Sequence, residues 1–152
     1  SVTFWLVGAP DPENPTSIHE SVLQKWHDEG IVKWLGQRDD VSSIWAQSHI
    51  AVLPSYREGL PKSLLEASAC GRAIVATDVP GCREIVHDEE NGLLVAVKNP
   101  RELALAISRL VRDPLLRSRM GRRGREIVLK KFSEEHVTEQ FLCLYLSTVA
   151  TP

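Results

Sequence analysis

The stretch Ala51-Val52-Leu53-Pro54-Ser55-Tyr56-Arg57-Glu58-Gly59-Leu60-Pro61-Lys62-Ser63-Leu64-Leu65-Glu66 decides the fold. Its beginning, with His49 to Leu53, predicts a short buried strand. Leu64 to Cys70 predicts a helix, and Gly71 stops it. Glu58 sits in the loop between them, and Glu66 sits about one turn into the helix. Seven residues separate the two carboxylates. In open α/β sheets, ligands bind at the carboxyl ends of the strands, where this loop must lie. Pro61 suits the first helical position, where its missing N–H costs nothing. The N–H groups of Lys62, Ser63 and Leu64 would then point out of the helix end as an anion site. The helix dipole adds roughly 0.3–1 kcal/mol for a negative charge there. A nucleoside diphosphate attached to a polyol fits a phosphate cradle between two hydroxyl acceptors.

Outward from this motif, strand-like and helix-like segments alternate, which predicts a parallel sheet covered by helices. Val2 to Val7, Ile31 to Leu35, His49 to Leu53, Ala73 to Ala76 and Leu93 to Val97 are the expected strands. Ser17 to Glu29 has a helical apolar period, with Asn14 or Thr16 as candidate cap and Gly30 as stop. Asp40 to Ala46 is a short amphipathic helix. Val79 to Val86 is a turn with a helical piece, and Asn91-Gly92 is a second turn. Pro100 to Val111 is a helix, and Asp113-Pro114 opens another toward Phe132. Ser133 caps a last helix ending near Thr148.

Composition narrows the function classes. The chain has 152 residues, 25% of them charged and 43% hydrophobic, which suits one soluble domain with its own core. A net charge of −2 gives no general pull toward nucleic acid. No segment approaches the roughly 20 apolar residues of a membrane span. Cys70, Cys82 and Cys143 are unclustered and read as reduced thiols. The five histidines show no ligand spacing, so no metal site is assigned. Trp5, Trp26, Trp34 and Trp45 are expected to pack in the core.

The run Glu58 to Glu66, continued by Ala67-Ser68-Ala69-Cys70-Gly71-Arg72-Ala73-Ile74-Val75-Ala76-Thr77-Asp78-Val79-Pro80-Gly81, resembles family 4 of the retaining glycosyltransferases. Asn91 to Val95, Met120 to Arg125 and Lys131-Phe132-Ser133 share the likeness, which runs from about Val2 to Tyr145. The resemblance implies the GT-B architecture, two Rossmann-like domains facing across a cleft. This chain is similar to the carboxy-terminal, donor-binding domain, with residues 1–152 as one partial domain. Glu58 then matches the glutamate that bonds donor-sugar hydroxyls, and Gly59, Leu60 and Pro61 the loop lying along that sugar. Ser63 and Leu64, with Lys62 beside them, match the helix start that meets the diphosphate. Glu66 matches the acceptor for ribose hydroxyls. Gln37 and Arg38 match a position that contacts the base. The implied donor is a UDP-sugar, used without a metal or other cofactor, and the implied setting is bacterial surface-polysaccharide or lipid-linked oligosaccharide synthesis.

The family's domain begins with a further strand and an Arg and Lys pair that face the diphosphate. This chain is similar from the second strand onward. The expectation is therefore a five-stranded sheet lacking its first strand, in the family order 3-2-4-5-6, with Val2–Val7 pairing directly with His49–Leu53. The acceptor-binding domain is expected as a missing amino-terminal partner, and the chain alone is expected to be inactive. The parent protein is expected in the cytoplasm, with the inner membrane face as a partner surface. Plainer readings stand beside these. Glu66 four residues after Lys62 fits an ordinary helix ion pair. Glu58 fits a solvated loop acid, Arg83 with Glu84 a structural pair, and the basic run Arg117 to Lys131 a solvated face rather than a lipid contact. A non-catalytic nucleotide-binding module and a sugar-nucleotide epimerase are the alternative functions.

Overall fold

The computed structural model describes residues 2–14 and 17–149, so Thr16, one candidate cap, lies outside the described residues. The chain divides into two compact units, Ser1–Val41 and Ser42–Pro152.

The first unit holds β1 (Trp5–Leu6), α1 (Glu20–Asp28) and β2 (Lys33–Trp34). The strands pair in parallel, Trp5 opposite Lys33 and Leu6 opposite Trp34. His19, not Asn14, caps α1, and its ring nitrogen accepts from the Ser21 N–H at 3.3 Å. Gly30 closes the helix at φ 70°, the left-handed conformation that glycine adopts without a Cβ penalty. The Trp34 indole N–H donates to the Gly8 carbonyl at 2.9 Å. The expectation of four core tryptophans holds only in part. Trp5 is 36% exposed, while Trp45 packs against the core of the second unit.

After α2 (Val41–Gln47), the second unit runs β3 (Ile50–Leu53), α3 (Lys62–Ala69), β4 (Ala73–Thr77), α4 (Pro80–Arg83) and β5 (Gly92–Val95). Then follow α5 (Pro100–Arg112), α6 (Pro114–Lys131) and α7 (Glu134–Val149). The sheet order is β3-β4-β5, all parallel. All of β4 is buried, as a central parallel strand covered on both faces must be. Its side chains alternate between two cores. Ile74 and Ala76 pack with Leu64 and Ala67 of α3, with Cys82, Ile85 and Val86, and with Val128 of α6. Ala73 and Val75 pack with Leu93, Val95, Leu110, Leu116 and Met120. Each fully buried large side chain here contributes about 1.5–3 kcal/mol. The helices α3 and α6 approach closely where Gly71 ends α3. A Cβ on Gly121 would stand 2.1 Å from the Gly71 carbonyl oxygen.

The α/β class with parallel strands and helices on both faces is as expected, but the single five-stranded sheet is not. The expected neighbours 3-2 and 4-5-6 are present as β2-β1 and β3-β4-β5, in two sheets, and among the described residues no ladder joins β1 to β3. Only two residues of the Val2–Val7 run, Trp5 and Leu6, adopt paired strand geometry, and their ladder is to β2, through Lys33 N–H to Phe4 O and Leu35 N–H to Leu6 O. Among the described residues β3 pairs with β4.

Candidate nucleotide-sugar site

Because β3, β4 and β5 are parallel, the segments that follow them emerge at one edge of the sheet. Three contacts tie these segments together. The Asp78 N–H donates to the Val95 carbonyl at 2.8 Å. The buried Thr77 hydroxyl donates to the Ser55 carbonyl. The Lys98 ammonium stands 5.7 Å from the centre of the Tyr56 ring, a cation–π contact. This edge carries the motif.

Pro61 takes the cap position of α3 rather than the first helical position, with φ −70° and ψ 110°. Its ring leaves no side chain to serve the helix end. The shift by one residue changes which amides are open. Leu64 N–H and Leu65 N–H both donate to the Pro61 carbonyl, at 3.1 and 3.3 Å. Lys62 and Ser63 remain as the amides without an acceptor among the described residues. Leu64, expected among the anion donors, is committed instead to the helix, and its side chain is buried.

Glu58 is half-buried in the β3–α3 loop, between exposed Arg57 and Gly59. Its charge reaches the interior. Burial first, and then the carboxylates of Glu58 and Asp78, push the Cys82 thiol up to about 11. Asp78 itself is held below the usual carboxylate range by the Arg83 guanidinium, which donates to it at 2.5 Å. Arg83 thus pairs with Asp78 and not with Glu84. Glu66 lies on the same face of α3 as Lys62, whose ammonium is 3.5 Å away. The ordinary helix pair is therefore present. It is an exposed pair, with Lys62 87% accessible, and worth about 0.2–0.5 kcal/mol. The contact uses one carboxylate oxygen, and among the described residues the Glu66 carboxylate accepts no hydrogen bond, its backbone carbonyl alone accepting from the Cys70 N–H.

Gln37 and Arg38 belong to the first unit. Arg38 gives Nε and Nη2 to the two oxygens of Asp40, each at 2.8 Å, a bidentate pair that raises its own pKa and lowers that of Asp40. Of the two, Gln37 has no side-chain hydrogen bond among the described residues. Thr77 and Gly81 at the same edge as Glu58 were not singled out in the sequence as site residues. Thr77 had a signal, as the hydroxyl ending an otherwise apolar strand; the contact of Gly81 with residues 58–59 had none. Among the described residues no group of three or more His, Cys, Asp or Glu side chains forms a metal site, and no helix is long and apolar enough to cross a membrane.

An α/β unit with carboxylates flanking an open helix end at the carboxyl edge of its strands is an arrangement that can take a phosphate-bearing ligand. Comparison with known proteins makes this specific: the chain belongs to the family described as glycosyl transferases group 1, whose model matches residues 1–113. It is 38% identical over 142 residues to the N,N'-diacetylbacillosaminyl-diphospho-undecaprenol alpha-1,3-N-acetylgalactosaminyltransferase of Campylobacter jejuni, covering 93% of this chain and 36% of that protein. Among solved structures it is similar to sucrose-phosphate synthase from Thermosynechococcus elongatus, with TM-score 0.84, 31% identity, and 97% of this chain and 39% of that one covered. It is also similar to Anabaena HepE in complex with UDP, with TM-score 0.87, 25% identity, and coverage of 96% and 41%. The chain thus spans about two fifths of the length of these proteins. Its fold is that of the GT-B glycosyltransferases.

Proposed function

We propose that the full-length protein carrying this chain transfers a sugar from a nucleoside diphosphate, most simply UDP, to an acceptor hydroxyl with retention of configuration, and that this chain is its donor-binding part. The observation that carries the reading is the carboxyl edge of the second unit, where Glu58, the open amides of Lys62 and Ser63, and Glu66 follow one strand within nine residues. UDP bound to HepE supports the nucleotide, and the name of the Campylobacter relative supports a lipid-linked acceptor in surface-glycan synthesis.

Each group has a role in this reading. Glu66 accepts from the ribose hydroxyls. The Lys62 and Ser63 amides, at the positive end of α3, face the diphosphate and oppose the charge that grows on it as it leaves. Glu58 accepts from donor-sugar hydroxyls and fixes the sugar for reaction, with the backbone of Gly59, Leu60 and Pro61 alongside. The acceptor domain lies in the rest of the protein, and the reaction takes place in the cytoplasm at the inner membrane face.

The test is titration of UDP, UDP-glucose, UDP-N-acetylglucosamine and UDP-N-acetylgalactosamine into the full-length protein and its Glu58→Gln variant. The expected result is nucleotide binding by both, with the gain from the sugar lost in the variant. Losing a hydrogen bond to a charged group costs about 1.5–3 kcal/mol, or roughly tenfold to a hundredfold in affinity. Equal affinity of the two proteins for every UDP-sugar would refute the role of Glu58.

A further inference from the structure

We propose that the turn from β4 into α4, through Thr77 and Gly81, is the positioning element that holds the Glu58 loop in its sugar-binding geometry. The inference rests on the role assigned above to Glu58 and adds two residues to that site.

The loop from Pro54 to Pro61 has few means of its own to hold a fixed path. Tyr56 is 70% exposed, Leu60 is 49% exposed, and Gly59 has no side chain. Its anchors come from the neighbouring segment. At its start, the Thr77 hydroxyl donates to the Ser55 carbonyl, with the Leu53 carbonyl 3.5 Å away. Thr77 is only 3% exposed, so this bond is shielded from competing water. At its tip, the backbone of Glu58 and Gly59 lies directly on Gly81. A Cβ there would stand 2.2 Å from the Gly59 carbonyl oxygen and 2.5 Å from that of Glu58. These are backbone atoms, so no rotamer change can relieve the overlap. Cβ contacts shorter than 3.0 Å are essentially never seen, so the two backbones would have to part by about 0.8 Å, and the exposed loop has more room to yield than the buried Gly81-Cys82 start of α4.

That retreat falls on the residue whose carboxylate must meet a sugar hydroxyl. A misplacement of about 1 Å at a reacting group can cost on the order of a hundredfold in rate. The start of α3 is anchored separately, by the burial of Pro61 and Leu64. The element therefore positions the sugar contact and leaves the diphosphate contact in place. Cys82, fully buried next to Gly81, feels the charge of Glu58, which agrees with this closeness.

The experiment compares Gly81→Ala, Thr77→Val, Glu58→Gln and Gly121→Ala in the full-length protein. Gly121→Ala creates an equal overlap, 2.1 Å from the Gly71 carbonyl oxygen, at a place remote in role from the loop. The readouts are the affinity for UDP, the affinity for the UDP-sugar that wild type binds best, and the thermal midpoint. Gly81→Ala and Thr77→Val are expected to lose roughly tenfold or more of the UDP-sugar affinity while UDP affinity stays within about threefold. Gly121→Ala is expected to lower the midpoint and keep the ratio of the two affinities. Should Gly81→Ala not fold, Thr77→Val, which keeps the branched shape and replaces the donating hydroxyl by a methyl, carries the test alone. Loss of the ratio in Glu58→Gln but not in Gly81→Ala or Thr77→Val overturns this inference and leaves the site reading standing. A ratio unchanged in Glu58→Gln overturns both. Equal loss in Gly121→Ala overturns the positioning role in favour of general destabilisation.

Discussion

Replacing Glu66 by alanine separates two accounts of that residue. The structure contains the bland one, a 3.5 Å pair with Lys62 on an exposed helix face. If that is all Glu66 does, its loss costs about 0.2–0.5 kcal/mol of stability and nothing in binding. Alanine is also the better helix former, which offsets part of even that cost. The ribose role predicts a different pattern. A carboxylate accepting from a hydroxyl in a partly sheltered site contributes about 1.5–3 kcal/mol to binding. UDP affinity should then fall roughly tenfold to a hundredfold. Calorimetric titration of UDP into wild-type and Glu66→Ala full-length protein measures the affinity, and a thermal melt of the same samples measures stability. The expected outcome is a near-unchanged midpoint with a weakened Kd. A Kd equal to wild type would reduce Glu66 to its pair with Lys62 and remove half of the motif.

Two further outcomes concern the scaffold. Gly121→Ala should destabilise the fold by about 1–3 kcal/mol, since α6 must move off the end of α3, and chemical denaturation will show it as a lower midpoint at similar slope. Cys82 is fully buried with its thiol pushed up to about 11, whereas Cys143 is exposed. A thiol reagent at mildly alkaline pH should therefore modify Cys143 at once and Cys82 only after unfolding. The sign of the linkage follows from the raised value. The folded state keeps the Cys82 proton longer than the unfolded chain, so this contribution to stability is complete below pH 9 and is lost as pH rises toward about 11. Cys82→Ala should flatten the alkaline limb of the stability profile.

Much of the second unit was legible because local and tertiary demands agree there. The apolar run Ala73–Ala76 could only be a doubly covered strand, and it is. Asn99 and Asp113 cap α5 and α6 with their side chains, each followed by proline at the first helical position. Where the reading slipped, a long-range or one-residue effect decided. Pro61 fits the cap and the first turn almost equally by its φ, and the choice between them commits the Leu64 amide to the helix. The run Val2–Val7 looked like a full strand by composition, but only Trp5 and Leu6 pair. Pairing depends on a neighbour that no local pattern announces. Gly81 is the clearest case. A glycine after proline reads as part of a turn, and its contact with Gly59 and Glu58, 22 and 23 positions earlier, exists only in the folded chain.

The most direct test of the central claim is a crystal structure of the full-length protein with UDP-sugar bound. The account predicts the ribose hydroxyls within hydrogen-bond distance of the Glu66 carboxylate, the diphosphate at the Lys62 and Ser63 amides, and a sugar hydroxyl on Glu58. A nucleotide bound elsewhere, with the start of α3 facing only water, would contradict it.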